Sequence, residues 1–374
     1  MKKDPYKHKE RWETWISKVE DNGIDGLNKI NSALVIKFMR DMEMGINISK
    51  ISKKGGRSYI RLNHLQQKII FIIKLLEKKK IKDIGKVKSE ELHKLFNDMR
   101  TGTIKKKDGG IYKSSGDYVK QFKAFWHWYQ KIEKKKGKLI EDICEDLDTR
   151  GEKPKFIYFE KDIFERIINK VSYDLKPILA LAFDSGMRVT ELANIKVSDF
   201  LNDYHEVNIR EETSKTFGRR IKLMLCSKQT REYVNKLGLT QKDFFCQKSP
   251  TMINKELKKI GKEVLSPRQL EFKNLSLIDF RHSSACYWLP KYKSESALKY
   301  RFGWKKSDMI HYYTELLGMK DTITQDDMFE DITKAELEKE MESLKKELGK
   351  FRPILEMVES ATRKKQVMKI LNKR

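Results

Sequence analysis

The sequence has few of the features that mark secreted, membrane-spanning or metal-dependent proteins. Its four cysteines stand far apart, without the paired spacing of a disulfide framework or a zinc site. Its seven histidines are scattered, with no HxxxH or HExxH spacing, so we predict no bound metal and no cofactor. The longest apolar run, residues 69–73, is far too short to span a bilayer. The first fifteen residues are charged and lack the apolar centre of a signal peptide, which predicts an intracellular protein in a reducing compartment.

Acidic residues are few relative to basic ones. The 80 Lys and Arg residues outnumber the 54 Asp and Glu residues, for a formal net charge of +26 at pH 7. An excess of this size favours a polyanionic partner, because binding along a phosphate backbone releases condensed counterions. The alternative is a lysine-rich surface whose charges are simply solvated.

Residues 1–150 are predicted to form a helical domain. One stripe has apolar side chains at helical spacing: Leu62, Leu65, Ile69, Ile72 and Leu76. A second segment places Phe122, Phe125, Trp126 and Tyr129 on one side, where we expect them to form core. This region holds 36 Lys and Arg residues against 21 Asp and Glu residues. Its candidate DNA-binding residues are Lys113, Lys120 and Lys123, although such lysines also suit an ordinary solvated face.

The remainder of the chain changes character three times. An acidic, Gly- and Pro-containing stretch at 141–159 predicts an interdomain linker. Helical periodicity then ends at Gly186, a C-cap candidate, and a period-two pattern from Val207 to Leu225 predicts a β-hairpin around Ser214–Gly218. Residues 337–358 carry a heptad seam interrupted by Pro353, which suits either self-association or folding back onto the same chain.

Four short motifs follow one another along this second half. They are SGMRVTEL, with Arg188 and Glu191; TSKTFGRR, with Lys215 at the predicted hairpin tip; IDFRHSSA, with Arg281 and His282; and GWKKSDMIHYYTEL, with Trp304 and, nine residues later, Tyr313. An Arg followed by Glu at i+3 is common on helix surfaces, and a lysine in a turn is usually solvated. Only the ordered set points to a shared chemistry.

In this order, the motifs resemble the catalytic domain of the tyrosine recombinase (phage integrase) family. That family has an Arg in a G-[LM]-R-x-x-E-L turn, a Lys on a β-hairpin, an H-x-L-R-H box, a G-[HW] step and a Tyr about nine residues beyond it. The resemblance implies a mainly α fold with a small β-sheet (α+β). Its domains would be a helical core-binding domain at 1–150, a catalytic domain at 155–320 and a helical tail at 321–374 that makes oligomer contacts.

The resemblance also implies a role for each matched residue. Tyr313 would be the nucleophile, and forms a phosphotyrosine that conserves the energy of the broken phosphodiester. Arg188 and Arg281 would bind the phosphate, to which each presents a permanently charged planar fork. Lys215 would be the general acid, and Trp304 would donate its indole N–H. The last two expectations are that His282 braces Arg281 and that Glu191 orients Arg188 or caps its helix.

One position departs from the family pattern. Ile278 stands where the family usually has the first His of its H-x-L-R box, which is thought to help accept the tyrosine proton. Isoleucine can neither move a proton nor bond a phosphate oxygen. A site of this kind would use His282, His311, a lysine or water in that role, or its cleavage would be slow or lost.

These expectations combine into one functional hypothesis. The protein would be a site-specific DNA recombinase, an integrase or transposase, that cleaves and rejoins strands without a metal. It would act as a tetramer on paired double-stranded sites, in the cytoplasm at the nucleoid, without a membrane and with an accessory DNA-bending protein as an optional partner. Two alternatives stay open: a type IB topoisomerase-like enzyme using the same residues, and a DNA-binding protein whose active site has decayed.

Overall fold

The fold is described from a computed structural model. The structure describes residues 3–46, 55–150, 158–264, 274–292, 294–318, 341, 343–347 and 349. The chain divides into two compact units, Met1–Ser283 and Ser284–Arg374. The predicted mainly α fold with a small sheet is confirmed.

The first part of unit one is helical, as its periodicity predicts. Among its described residues the α-helices are α1 (His8–Asn22), α2 (Lys29–Met44), α3 (Tyr59–Lys78), α4 (Ser89–Thr101) and α5 (Ser115–Lys135). The predicted apolar stripe of α3 is buried throughout. It contributes to one hydrophobic core whose members run from Trp12 to Leu147. Residues 141–150, taken from the sequence as the start of a linker, pack on this domain: Trp126 Nε1 donates to the Glu141 carbonyl over 3.0 Å, and Cys144 is buried.

The aromatic face of α5 forms core, as expected. Phe122, Phe125 and Trp126 are buried, and Phe125 packs edge-on against Phe38 of α2. Trp128 is buried as well, and its indole N–H donates to Asp41 Oδ2 over 2.8 Å. This hydrogen bond links α5 to α2. Among the described contacts, the Asp41 carboxylate is the only charged group that accepts a hydrogen bond from the Trp128 ring nitrogen.

In the residues that the structure describes, the rest of unit one contains further helices and one sheet, and the last of these helices continues into unit two. The helices are α6 (Lys161–Lys170), α7 (Lys176–Ser185), α8 (Val189–Leu192), α9 (Ser227–Leu237), α10 (Pro250–Val264) and α11 (Leu277–Trp288). The sheet has three antiparallel strands in sequential order, β1 (Phe200–Leu201), β2 (Glu206–Ile209) and β3 (Arg219–Lys222).

The predicted hairpin is formed by β2 and β3. Val207 pairs with Ile221 and Ile209 with Arg219, and the three apolar members of these pairs are buried on one face. The connecting loop contains Ser214–Gly218, as predicted. The two-residue β1 was not predicted, and Leu225 is 43% exposed rather than part of the buried alternation.

The N-terminal segment is tied to the region of the Arg188 turn. The backbone N–H of Lys3 donates to Asn194 Oδ1 over 2.6 Å, and Asn194 Nδ2 donates back to the Lys3 carbonyl over 3.1 Å. The Lys3 ammonium lies 4.1 Å from the centre of the Phe244 ring. The first helix is therefore anchored beside α8, almost two hundred residues away in sequence.

Unit two contains the end of α11, α12 (Glu295–Phe302) and α13 (Asp308–Leu316). The Arg301 guanidinium lies 4.1 Å from the centre of the Trp288 ring. Residues 341, 343–347 and 349 are helical, but most of the predicted heptad seam lies outside the described residues. None of the helices in the described ranges combines the length and apolarity that crossing a bilayer requires.

Trp128→Phe tests the buried link between α5 and α2. The substitution keeps most of the ring area but leaves the Asp41 carboxylate without the donor that satisfies it, so we expect a loss of about 1–3 kcal/mol in the free energy of unfolding. Urea denaturation measures the change. Trp15→Phe, at a half-buried position on α1, is the control, since the same truncation there leaves no buried carboxylate behind. Equal losses for the two variants would contradict the assigned role.

Candidate active site

Arg188 lies in a sharp turn between two buried helices. α7 ends at Gly186, whose φ of +61° is the left-handed conformation that favours glycine, so the predicted C-cap is confirmed. Arg188 follows in extended conformation directly before α8. Its side chain is 22% exposed, which leaves the guanidinium within reach of a ligand.

Glu191 holds this turn. Its carboxylate accepts the Arg188 backbone N–H over 2.8 Å and Arg188 Nη1 over 3.0 Å. It also accepts Ser214 Oγ over 2.9 Å and both terminal nitrogens of Arg219, Nη1 over 3.1 Å and Nη2 over 2.9 Å. Glu191 thus contacts Arg188, the residue that it is predicted to orient, and its carboxylate also reaches the β2–β3 hairpin, which the motif did not indicate.

The charge state of Glu191 follows from these contacts. Its side chain is fully buried, and burial alone raises the pKa of a carboxyl group. The hydrogen bonds and charge of Arg219, with those of Arg188, outweigh burial and lower the pKa of Glu191 to about 2. Glu191 is therefore ionised at neutral pH.

Lys215 is exposed in the hairpin loop, and the residue before it, Ser214, is held by hydrogen bonds. Ser214 donates its hydroxyl to Glu191, and the Thr216 backbone N–H donates to Ser214 Oγ over 3.3 Å. The loop that carries Lys215 is thus tied to the same carboxylate that holds the Arg188 turn.

Arg281 reaches the same turn from α11. Its Nη1 donates to the Gly186 carbonyl over 2.6 Å, two residues before Arg188. The two motifs that supply the predicted phosphate-binding arginines are about ninety residues apart in sequence and adjacent in the fold. α11 begins at Leu277, where Asp279 accepts the Ser276 backbone N–H and hydroxyl, each over 2.8 Å.

The neighbours of Arg281 differ sharply in exposure. His282 is buried, and burial, followed by the charge of Arg281, lowers the pKa of His282 to about 4, so the ring is neutral at pH 7. Ile278 is 52% exposed, so the departure from the family pattern is a surface side chain rather than a core residue.

In unit two, Trp304 and Tyr313 lie together. Gly303, with a φ of +62°, ends α12, and the Trp304 backbone N–H donates to the Lys299 carbonyl over 2.9 Å. The Trp304 ring stacks on Tyr313 with centroids 5.6 Å apart and an interplanar angle of 20°. Tyr313 is 1% exposed, whereas its neighbour Tyr312 is only half-buried and meets the Tyr313 ring edge-on.

A basic cleft lies beside the Arg188 turn within unit one. Its volume is about 940 Å³, and its lining includes Lys3, Tyr6, Arg61, His64, Arg188 and Lys215. Partial burial, followed by the charges of Lys68 and Arg61, lowers the pKa of His64. Arg61 and His64 of α3 therefore face the same opening as two of the predicted catalytic residues.

The three predicted DNA-binding lysines have different surroundings in the structure. Lys120 lies close enough to Lys68 to lower its pKa, although burial is the larger cause, while Lys123 donates to the Glu145 carbonyl over 3.1 Å. Lys113 is exposed in the loop before α5. Sequence reasoning missed Arg61, His64 and Lys68. Their i, i+3, i+7 spacing along the flank of the apolar stripe of α3 was the available signal.

Known proteins share this architecture. The phage integrase family profile matches residues 158–318. No curated protein matches the chain. Solved structures with the same fold include lambda integrase bound to DNA, at 15% identity and a TM-score of 0.57, covering 79% of this chain and 99% of that one. The Tn1549 transposon integrase in complex with transposon right end DNA has 15% identity and a TM-score of 0.52, with 82% and 98% covered. A lambda integrase tetramer bound to a Holliday junction has 13% identity and a TM-score of 0.50, with 79% and 80% covered.

Within the described ranges, no group of three or more His, Cys, Asp and Glu side chains is arranged to hold a metal ion.

The buried His282 makes stability depend on pH. The unfolded chain, in which histidine titrates near ~6.5, binds the proton more tightly than the folded protein, whose His282 has a pKa of about 4. The stability from this group is therefore complete above the unfolded pKa and falls as the pH drops towards about 4.

We expect His282→Gln to abolish on the order of 3 kcal/mol of the difference in unfolding free energy between pH 7 and pH 4. Urea denaturation of wild type and variant at both pH values measures it. The exposed His93→Gln controls for the loss of a histidine as such. Parallel pH profiles for wild type and His282→Gln would refute the assignment.

Proposed function

Residues 158–318 match the phage integrase family profile, and from this match we propose that the protein is a site-specific DNA recombinase that cleaves and rejoins strands through a 3′-phosphotyrosine intermediate. The observation that best supports this function is the convergence at the Gly186–Arg188 turn. Arg281 bonds to its carbonyl, and Glu191 joins Arg188 to the Lys215 loop. Two guanidiniums and an ammonium around one turn suit a phosphodiester in its transition state.

The proposed reaction is two successive displacements at phosphorus. The Tyr313 oxygen attacks the scissile phosphorus, its bond to phosphorus forms, and the bond to the 5′-oxygen breaks. Lys215 gives the leaving 5′-oxygen a proton. A 5′-hydroxyl from the partner strand then attacks the phosphotyrosine, and Tyr313 leaves. Arg188 and Arg281 bind the non-bridging oxygens throughout, and Trp304 contributes an indole N–H. In this scheme the arginines supply the charge stabilisation, and no metal is required.

The proton of Tyr313 needs an acceptor. Ile278 is exposed and apolar, so His282, His311, a lysine or water takes this role in the proposed mechanism. His282 is neutral at pH 7, the form of histidine that can accept a proton, and it lies in a buried position.

DNA binding is proposed to use the cleft and its basic flank. The cations of α3, with Lys120, continue the charge of Arg188 and Lys215 along unit one. A DNA phosphate backbone bound in this way would release its counterions, and the large net positive charge of the chain suits such binding. Lys113 and Lys123 would make peripheral phosphate contacts.

The proposed assembly is a tetramer on two duplexes, by analogy with the lambda integrase tetramer on a Holliday junction. Half-sites arranged as an inverted repeat follow from such symmetry. Residues 321–374 would supply the oligomer contacts, an accessory protein would bend the DNA, and the complex would act at the nucleoid. The match to the phage integrase family favours recombination over topoisomerase-like relaxation. The intact Arg–Glu–Ser network argues against a decayed site.

Tyr313→Phe tests the nucleophile. A nicked suicide duplex loses its short strand after cleavage, so the covalent adduct accumulates and appears as a shifted band on a denaturing gel. We expect wild type to form this adduct and Tyr313→Phe to form none, because phenylalanine has no oxygen to attack with.

Tyr312→Phe is the matched control, and should retain the adduct. The proposed mechanism fails if wild type gives no adduct on its cognate site. It also fails if Tyr313→Phe still forms one, whatever the result for Tyr312→Phe.

Lys215→Met tests the general acid. We expect at least about a 100-fold loss in single-turnover cleavage of a normal phosphodiester, within the usual range for general acid catalysis. When sulfur replaces the 5′-bridging oxygen, the leaving thiolate needs no proton, and the defect should nearly vanish. Lys222→Met, on β3, should cleave both substrates at the wild-type rate. An equal defect of Lys215→Met on both substrates would exclude the acid role.

A further inference from the structure

One buried carboxylate is shared by two arginines that differ completely in exposure. Arg219 has a side chain with no exposed surface, and it meets both oxygens of Glu191 through its two terminal nitrogens. The Arg188 side chain is 22% exposed and donates from Nη1 to Oε1, while its backbone N–H donates to Oε2. Arg219 lies on β3 and cannot itself touch a nucleic acid from this position.

The charges of this trio decide what Arg188 can offer a phosphate. Glu191 is ionised, so a pair made of Glu191 and Arg188 alone would be neutral. With Arg219 included, one negative and two positive charges leave a net charge of +1. The buried fork of Arg219 also satisfies both carboxylate oxygens, which lowers the demand of Glu191 on the Arg188 guanidinium.

The same carboxylate controls the position of a second reactive group. Ser214, directly before Lys215, donates its hydroxyl to Glu191 Oε1, the oxygen that also accepts from Arg188 and from Arg219 Nη1. A change in the position or charge of Glu191 therefore reaches the Arg188 turn and the Lys215 loop together.

We propose that Arg219 is a positioning residue for strand cleavage: by neutralising Glu191 from the buried side, it preserves the positive charge that Arg188 directs at the scissile phosphate and the placement of the Lys215 loop. This inference rests on the proposed function. A buried ion pair that served stability alone would affect folding but would not depend on the charge of the substrate.

A charge-balanced double variant separates the two roles. Arg219→Met leaves Glu191 to neutralise Arg188, and we expect at least about a 100-fold loss in single-turnover cleavage of the suicide duplex, the size of losing one preorganised electrostatic group. Glu191→Gln in the Arg219→Met background removes the uncompensated carboxylate and restores the net charge of +1. The double variant should cleave at least about tenfold faster than Arg219→Met. Arg219→Lys, which keeps the charge but not the fork, should fall between wild type and Arg219→Met.

Cleavage of a second substrate separates a positioning role from a purely structural one, because a purely structural defect would slow the cleavage of both substrates equally. A methylphosphonate at the scissile position replaces one charged oxygen with methyl, so the charge of Arg188 matters less there. The defect of Arg219→Met should shrink to less than about tenfold on this substrate. If Arg219→Met does not fold, by circular dichroism and thermal melting, Arg219→Lys and the double variant carry the same comparison.

The outcomes are distinct. A double variant no faster than Arg219→Met, with equal defects on both substrates, would reduce Arg219 to a structural residue while wild-type cleavage still supports the proposed function. The absence of cleavage by wild type would remove the proposed function itself. Arg220→Met, the exposed neighbour on β3, is the matched control, and should cleave both substrates as wild type does.

Discussion

A carboxylate that has left water must be neutralised and hydrogen-bonded where it lies, and the region around Arg188 is organised by that requirement. Glu191 is fully buried and yet ionised, with its pKa lowered to about 2. It can remain so only because Arg219, Arg188 and Ser214 all donate to it. Those donors come from the α7–α8 turn, from β3 and from the hairpin loop. One buried charge therefore links three segments by hydrogen bonds, in addition to the packing between them.

The same turn is held from two other directions. Arg281 of α11 donates to the Gly186 carbonyl. The backbone of Gly186 has the left-handed conformation that favours glycine, and this conformation sets the direction of the carbonyl. Lys3 pairs with Asn194 just beyond α8, and brings the start of the chain beside it. Arg188 therefore sits at a junction of elements that are far apart in sequence. In the proposed mechanism Arg188 meets a phosphate in a defined geometry, and such fixed surroundings would hold it there.

Local patterns predicted much of this structure because they depend on neighbours in sequence. The apolar stripe of α3, the aromatic face of α5, the Gly186 cap and the β2–β3 hairpin all follow from periodicity or from the conformational freedom of one residue. Trp304 stacks on Tyr313, a contact that their nine-residue spacing alone does not specify. Short β1 escaped detection because two residues carry no periodicity. Ile278 was correctly singled out as a departure, but only the fold shows that it is an exposed side chain.

By itself, the sequence determined the helical and hairpin elements, the excess of positive charge and the ordered set Arg188, Lys215, Arg281, Trp304 and Tyr313. These properties are local or additive, so they can be read along the chain. Only the tertiary structure decided that Arg219 lies beneath Glu191, and that Arg61 and His64 share a cleft with Arg188. In the sequence Arg219 is one basic residue among 80. Its importance comes from burial against a distant carboxylate, and burial is a property of the folded chain as a whole.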